Sequence, residues 1–377
     1  MRVATARYRP GHGWLEPLSG EDSPTTLVLA FADPEVSAED PVWGELRDRF
    51  PTSVRCGCST SGQFDGPVIC DREVVVTVAQ FHRTRLASTS AAVEGGPDSR
   101  RAGEEIGDRL TAPDLRGVIV LSDGLAVNGS ELAAGLHSRL APDVVVTGGL
   151  AGDGSRFGHT WLLDHDLVTS HRVVAVGLYG DAVTVGAGSC GGWSGFGPPR
   201  EVTGAVGNVL HELDGEPALD LYRRYLGDLA GELPATGLLM PLAVRSAAGG
   251  ETVVRTLLAI DEDHRSMTFA GDIPAGGVAQ LMRADREDLI DGAATAAERS
   301  LVGQDGDGPG LALAVSCVGR RLVLGDRADE ELDSAREQLP GRFSLTGFYS
   351  YGELAPGLAG RCELHNQTMT ITTISER

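Results

Sequence analysis

The feature that most constrains this chain is a pattern of elements that occurs three times. Each copy has a short apolar strand, a helical stretch, a proline, and a second strand that leads into a glycine-bearing turn; the copies span residues 27–62, 117–153 and 311–353. The proline ends each helix, because it cannot donate a hydrogen bond there and it favours extended geometry in the residue before it. The pattern predicts three related β-α-β units.

A further run rich in β-branched residues follows each turn, at 74–78, 173–178 and 368–374. The sequence therefore predicts an α/β fold of two domains, built from related β-α-β units with Gly-rich turns at the carboxyl ends of strands. Open α/β sheets usually bind ligands at that edge. A fourth, degraded copy is predicted in strands at 238–244 and 253–260, and the boundary between the halves is placed near Leu213.

Composition excludes several classes of function. The chain carries 32 basic and 53 acidic residues, a net charge of -21 that repels nucleic acid and anionic membrane surfaces. Every basic residue is Arg, which rules out P-loop lysine and Schiff-base chemistry. No apolar run approaches the roughly 20 residues that span a bilayer, and residues 1–23 lack the apolar core of a signal peptide. We therefore expect a cytoplasmic protein with free thiols.

Specific strings resemble the FIST family. Cys-Gly-Cys-Ser-Thr-Ser-Gly at 56–62, the glycine turn at 147–153 and the segments 202–208 and 212–218 are similar to the FIST N-terminal domain. Ser-Cys-Val-Gly-Arg at 316–320, Gly-Phe-Tyr-Ser-Tyr-Gly-Glu at 347–353 and His-Asn-Gln-Thr at 365–368 are similar to the FIST C-terminal domain. The resemblance assigns 27–213 to the first domain and 214–377 to the second.

The resemblance implies a sensory module of signal transduction that binds a small polar ligand, with amino acids among the candidates. Family members often carry an output domain, for which this chain has no room, so a separate signalling protein is the expected partner. Some relatives are haem-binding nitric-oxide sensors, which leaves haem as the alternative; otherwise no cofactor is expected. An uncharacterised enzyme is the third hypothesis, and we expect no catalytic activity because no catalytic constellation or metal-ligand spacing is evident.

The Gly-rich turns supply most of the candidate ligand contacts, because glycine lets a ligand approach the main chain closely. The competing interpretation is that they are only tight turns, with carboxylates as caps. A carboxylate pair, Asp153 with Glu353, could hold a ligand ammonium. Gln63 stands where the family commonly has an acidic residue. The candidates in the turns are Ser59, Thr60, Gly62, Gly149, Asp153, Tyr349, Ser350, Tyr351, Gly352 and Glu353.

Four further candidates lie outside the turns. Arg320 could grip a ligand carboxylate with its planar fork, or form a structural ion pair. Cys317 is interpreted as a small core residue rather than a nucleophile. His365 and Asn366 begin the final strand, where His365 could contact a ligand, serve as a haem axial base, or be a hydrogen-bonded structural residue. We expect the ligand site at the interface of the two halves.

Overall fold

All three predicted units form in the computed structural model, which describes residues 1–249, 252–357 and 360–377. In the first unit, the parallel pair β3 and β4 is joined through α1, and β7 returns antiparallel to β3 with β1 at its other edge. Its elements are β1 (Arg2–Arg9), β2 (Gly13–Trp14), β3 (Thr26–Ala32), α1 (Pro41–Arg49), β4 (Val54–Ser59), β5 (Gln63–Asp65), β6 (Val68–Ile69) and β7 (Val74–Gln80).

The second unit repeats this arrangement. The parallel pair is β9 and β10, and β13 lies antiparallel between β9 and β8. The elements are β8 (Arg85–Ala92), α2 (Ser99–Leu110), β9 (Leu115–Ser122), α3 (Gly129–His137), β10 (Val145–Leu150), β11 (Leu162–Asp164), β12 (Leu167–Thr169) and β13 (Arg172–Tyr179).

A separate antiparallel sheet then follows β14 (Val183–Cys190). It consists of β15 (Trp193–Val206), β16 (Val209–Leu213), β17 (Glu216–Pro217), β18 (Leu242–Arg245), β19 (Val253–Arg255), β20 (Leu257–Asp261), β21 (Ser266–Phe269) and β22 (Val278–Ala284), with α4 (Ala218–Leu226) packed on it. Because β18 and β19 pair antiparallel, the prediction of a fourth β-α-β copy is wrong. The predicted boundary near Leu213 falls at the end of β16, within this sheet.

The sheet of the third unit has β14 at its edge, a strand that precedes the separate sheet in the sequence. Strand β27 lies antiparallel between β14 and β23, and β23 pairs in parallel with β24. The elements are α5 (Arg286–Ser300), β23 (Gly310–Cys317), α6 (Val318–Leu324), α7 (Ala328–Gln338), β24 (Phe343–Ser350), β25 (Gly352–Pro356), β26 (Cys362–His365) and β27 (Met369–Glu376). Single 3-10 turns occur at Gly96–Asp98, Gly227–Glu232, Ala235–Leu239 and Gly325–Arg327.

The three units exchange strands in a circle. After its Gly-rich turn, the first unit adds β5 to β24 of the third unit. The second adds β11 to β4 of the first, and the third adds β25 to β10 of the second. The sheet of each unit therefore contains a strand from a neighbouring unit. The turns that lead into these exchanged strands lie close together.

A central core lies between the sheets of the three units, and helices α1, α2, α3, α5 and α7 cover their outer faces. Side chains alternate between the two faces along each strand. Leu27, Leu29 and Phe31 of β3 join the central core, whereas Val28 and Ala30 face the layer that contains α1. Burial on both faces explains why these strands are continuous apolar runs in the sequence. No helix of the described residues is long and apolar enough to cross a membrane.

One glycine in the second strand of each unit has a packing role. A Cβ at Gly57 would lie 1.9 Å from the carbonyl oxygen of Ala30 in the neighbouring strand. At Gly148 and Gly347 the equivalent distances, to carbonyl oxygens of the strands paired with them, are 1.8 Å. Glycine is needed at these positions because the parallel strands approach closely there. The sequence suggests a different reason, turn geometry.

Candidate functional site

The three Gly-rich turns meet in direct contact at one junction. The Ser61 amide donates to the Tyr349 carbonyl at 2.8 Å, which joins the first and third units. The Gly152 amide donates to the Ser59 carbonyl at 3.0 Å, which joins the second and first. The third contact runs from the Tyr351 amide to the Leu150 carbonyl at 3.1 Å. The structure thus brings the turns together, as hydrogen-bonded neighbours that bury one another.

The carboxylate of Asp153 organises its own turn. It accepts hydrogen bonds from the backbone amides of residues 157–159, at 2.7 to 2.9 Å. The hydroxyl of Tyr351 also donates to it, and burial raises the pKa of that hydroxyl. Asp153 is 2% exposed. Its oxygens are therefore engaged within the protein, as expected of a carboxylate that caps a turn.

The first turn is held by its own polar side chains. The Ser59 hydroxyl accepts from the Trp161 amide at 3.1 Å, and the Gly62 amide donates to the Thr60 hydroxyl at 3.1 Å. Thr60 donates to the Gln63 side-chain carbonyl at 2.6 Å, while the Gln63 amide nitrogen donates to the backbone carbonyls of residues 70 and 73. Those carbonyls require a donor, which explains why an amide occupies this position instead of a carboxylate.

Arg320 forms the structural ion pair that the sequence left open. Its Nε and Nη2 donate to Glu331 at 3.0 and 2.8 Å, and both side chains are fully buried. The carbonyls of Leu289 and Gly191 accept its other hydrogen bonds at 2.7 and 2.6 Å. Cys317, at the end of β23, is also buried, and burial is the main reason that the pKa of its thiol is raised.

Glu353 is a buried carboxyl group without an arginine partner among its hydrogen bonds in the described structure. Ser350 donates to it at 2.7 Å, and Thr368 donates through its amide at 3.1 Å and its hydroxyl at 2.8 Å. Burial raises the pKa of Glu353 to about 8, and the hydrogen bonds from Ser350 and Thr368 offset only part of that effect. The carboxyl group is therefore protonated over much of the neutral range.

The remaining predicted turn residues, Gly149, Tyr349 and Gly352, belong to the same junction. Gly149 lies opposite Glu353, and Gly352 lies opposite Leu150, in the antiparallel pair of β10 with β25. The Tyr349 hydroxyl donates to a backbone carbonyl at the start of α7 at 3.2 Å. These residues are buried with the others. Their role as ligand contacts stays a prediction, and each already serves the junction.

His365 and Asn366 instead line a groove of about 730 Å³ between the two parts of the molecule. One wall is residues 187–191, in and just after β14, the edge strand of the third unit's sheet. Residues 252–254, in and just before β19, the edge strand of the separate sheet, also line the groove. The groove is completed by Arg299, Pro356, Gly357, His365, Asn366 and Thr368. The lining residues come from both sides of the predicted boundary near Leu213, and a ligand site between the halves stays a prediction.

The groove presents neutral and cationic polar groups. Burial lowers the pKa of His365 to about 4, so its imidazole is neutral at pH 7. Its Nε2 contacts the Ala355 carbonyl at 3.3 Å; a carbonyl only accepts, so Nε2 carries the proton and Nδ1 is an acceptor. Arg299 is exposed and donates to the Ser189 carbonyl at 2.8 Å. These groups can hydrogen-bond a polar ligand and attract an anionic one.

Sequence reasoning did not identify Ser189, Arg299 and the β19 wall. Ser189 lies on β14, an edge strand whose pairing with β27 joins distant parts of the chain, and Arg299 is one exposed residue of a helix. Thr368 belongs to the string that carried the family resemblance, but no pattern showed that its hydroxyl would join Glu353 to the groove. Local sequence offered no signal for these positions.

Comparison with protein families gives two matches in chain order. Residues 26–216 match the FIST N domain, and residues 218–356 match the FIST C domain. The chain belongs to the FIST family. An uncharacterized protein of Mycobacterium bovis is 33% identical over 239 residues, a match that covers 61% of this chain and 60% of that protein. One from Mycobacterium tuberculosis is 30% identical over 270 residues, covering 69% of this FIST chain and 68% of the relative.

Solved structures show only a distant likeness. The crystal structure of a cyanuric acid hydrolase from A. caulinodans aligns over 100% of this chain and 99% of its own, with 11% identity and a TM-score of 0.35. A second cyanuric acid hydrolase aligns at 13% identity and a TM-score of 0.29. Similarity at this level carries no information about the function of this FIST protein.

Proposed function

We propose that this FIST protein is a sensory module that binds a small polar ligand, with amino acids as the first candidates, in the groove between β14 and β19. The observation that carries the proposal is that two edge strands, one from the third unit's sheet and one from the separate sheet, line the same space of about 730 Å³. Polar groups of Arg299 and His365 lie beside those edges. A ligand there would contact both parts at once.

Contact with both parts supplies a route to signalling. A ligand shifts a conformational equilibrium only if it binds one arrangement better than another. A molecule that bridges 187–191 and 252–254 favours the arrangement in which those strands are close. We infer that a separate signalling protein reads this arrangement, because the family is associated with signal transduction.

Binding is proposed in preference to catalysis. The two nucleophile candidates, Cys317 and Ser59, are buried, and burial raises the pKa of the Cys317 thiol. Thiols act as nucleophiles in their deprotonated form, which this environment disfavours. Glu353 is also buried, beneath Thr368, and already accepts that residue's hydroxyl and amide.

The test is a calorimetric and thermal-shift screen of the full chain against amino acids, organic acids and nucleotides. We expect at least one compound to stabilise the protein. The Arg299→Ala and His365→Gln variants should weaken that compound about tenfold or more if its charged or polar groups are bound there. Arg116→Ala, which removes an exposed ion pair with Asp181 in the second unit, is the matched control. A ligand whose affinity is the same in all three variants would contradict the groove as its site.

Haem binding is the alternative, and His365 is the observation that favours it. A haem axial histidine must offer a nitrogen lone pair to the iron. Nε2 of His365 is engaged with the Ala355 carbonyl, so Nδ1 is the nitrogen that fits this need. Haem would supply gas binding at its iron. Reconstitution with haem followed by absorbance spectroscopy tests this: a Soret band that His365→Ala abolishes supports it, and its absence in the parent protein excludes it.

A further inference from the structure

Another cavity, of about 250 Å³, borders β19 as the groove does. Val253 of β19 lines both spaces, and the second cavity is otherwise bounded by α3 and by the segment around β26. Its polar lining comprises Ser130, His137, Arg255, Arg361 and Glu363. We refer to it as the β19–α3 cavity.

Arg255 is the unusual member of this lining. It is 7% exposed, and its guanidinium donates to the carbonyls of Asp272 at 3.1 Å, Val254 at 3.1 Å and Leu364 at 3.2 Å. A fourth hydrogen bond goes to the Ser130 hydroxyl at 3.2 Å. All four acceptors are neutral oxygens, so none of them offsets the buried charge as a carboxylate would.

The electrostatics of Arg255 reflect this environment. Burial lowers the pKa of the guanidinium to about 10, against the opposing fields of the Asp272 and Glu363 carboxylates. The Asp272 carboxylate itself accepts a hydrogen bond from the Asn128 side chain at 2.7 Å. An anion bound directly to Arg255 would add the compensation that its neutral acceptors lack.

Two donors at the cavity lack an acceptor among the described residues. Nη2 of Arg255 has two hydrogens, and one of them goes to Ser130. The Ser130 oxygen accepts from Arg255 and from the Asp272 amide at 3.1 Å, which leaves its own O–H hydrogen to donate. A guanidinium N–H beside a hydroxyl is a suitable pair for two oxygens of one oxyanion.

The rest of the lining adds positive charge. Arg361 is exposed at the same cavity, and the His137 ring lies there at the end of α3. Glu363 contributes one opposing carboxylate. The lining thus holds two arginines and one carboxylate, and the Asp272 carboxylate also acts on Arg255 from outside the lining.

We propose that the β19–α3 cavity binds a small oxyanion, a carboxylate or a phosphate, through Arg255, Ser130 and Arg361. Carboxylate and phosphate oxygens share the geometry that an arginine fork recognises. The cavity is separate from the groove, so this site neither requires nor excludes a ligand there. Because β19 borders both spaces, an anion in the cavity would fix the strand that forms one wall of the groove.

The experiment is isothermal titration of the full chain with inorganic phosphate and, separately, with acetate and succinate, at constant ionic strength in chloride. Saturable binding of phosphate alone assigns a phosphate site, and binding of the carboxylates alone assigns a carboxylate site. Either result, or both, supports the proposal. No saturable binding of any of the three anions overturns it.

Variants then locate the binding. Arg361→Ala lies at an exposed position and should weaken the anion about tenfold or more. Ser130→Ala should do the same, with circular dichroism and thermal melting to confirm that it folds. Arg139→Ala, an exposed arginine just after α3 that pairs with Glu104, is the matched control and should bind normally. Arg299→Ala should also bind normally, which separates this site from the groove. Unchanged affinity in Arg361→Ala and Ser130→Ala overturns the assignment.

Discussion

The buried carboxyl of Glu353 makes the stability of this protein depend on pH in a direction that is unusual for a glutamate. Its pKa is about 8 in the folded protein, mainly because burial disfavours the charged form, and its ordinary value is 4.5. Between those values the folded state holds a proton that the unfolded state has released. The stabilisation is therefore fully present below pH 4.5 and is lost as pH rises through about 8.

The size of the effect follows from the same two values. At 1.36 kcal/mol per pKa unit, the span from 4.5 to about 8 corresponds to about 5 kcal/mol of unfolding free energy. About 3 kcal/mol of it is lost by pH 7. The total is comparable with the whole stability of many domains, so it should be readily measured.

Glu353→Gln isolates this contribution. A glutamine is the neutral counterpart of the protonated acid, since its carbonyl can accept from Thr368 and its amide can donate to the Ser350 hydroxyl. We expect parent and variant to have similar stability at pH 5, and the variant to be more stable by about 5 kcal/mol above pH 8.5. Other titrating groups are common to both proteins and cancel in the difference.

The assay is urea unfolding of both proteins at a series of pH values between 4.5 and 9, followed by circular dichroism. The quantity of interest is the difference in unfolding free energy between variant and parent. A difference that stays constant across this range would refute a buried, protonated Glu353. So would a difference of the opposite sign, which would mean that the ionised carboxylate is stabilised in place.

Four other predictions rest on individual contacts. Glu331→Gln should destabilise the protein by about 3–5 kcal/mol in chemical unfolding, because it leaves the buried Arg320 charge uncompensated. Gly347→Ala should lower the free energy of unfolding by about 1–3 kcal/mol or more in the same assay, since its Cβ would lie 1.8 Å from a backbone carbonyl oxygen. Mass spectrometry after alkylation should find native Cys317 unlabelled, whereas half-exposed Cys190 reacts. Glu376→Gln should lower stability above pH 4.5, with the difference vanishing as pH falls through about 2, because hydrogen bonds outweigh burial and lower the pKa of Glu376 to that value.

Much of the fold could be predicted from local sequence. The alternation of apolar runs with Pro-terminated helices located the three β-α-β units, and the β-branched runs located their third strands. The same reasoning failed for the fourth copy, because β18 and β19 have the composition of strands but pair antiparallel in a different sheet. Composition indicates that a segment is a strand and leaves its partner open.

The candidate site was predicted less completely, for a related reason. The turn residues Ser59, Asp153 and Tyr351 carry the chemistry of a binding site, and the structure uses that chemistry to join the turns to one another. His365 and Asn366 were identified from a family string and lie at the groove. Other lining residues of the groove belong to β14 and β19, and no local sequence pattern connects these strands to His365 and Asn366.

The sequence by itself determined the repeating units, the order of their strands and turns, and the membership of the FIST family. The spacing of apolar residues and the positions of proline and glycine are local properties of the chain, which is why sequence reasoning could find them. Only the tertiary structure decided that the units exchange β5, β11 and β25 in a circle, which buries the Gly-rich turns against each other. It also decided that residues of β14 and β19 line one groove. Those outcomes depend on which distant segments of the chain pack together. That packing exists only once the sheets have assembled.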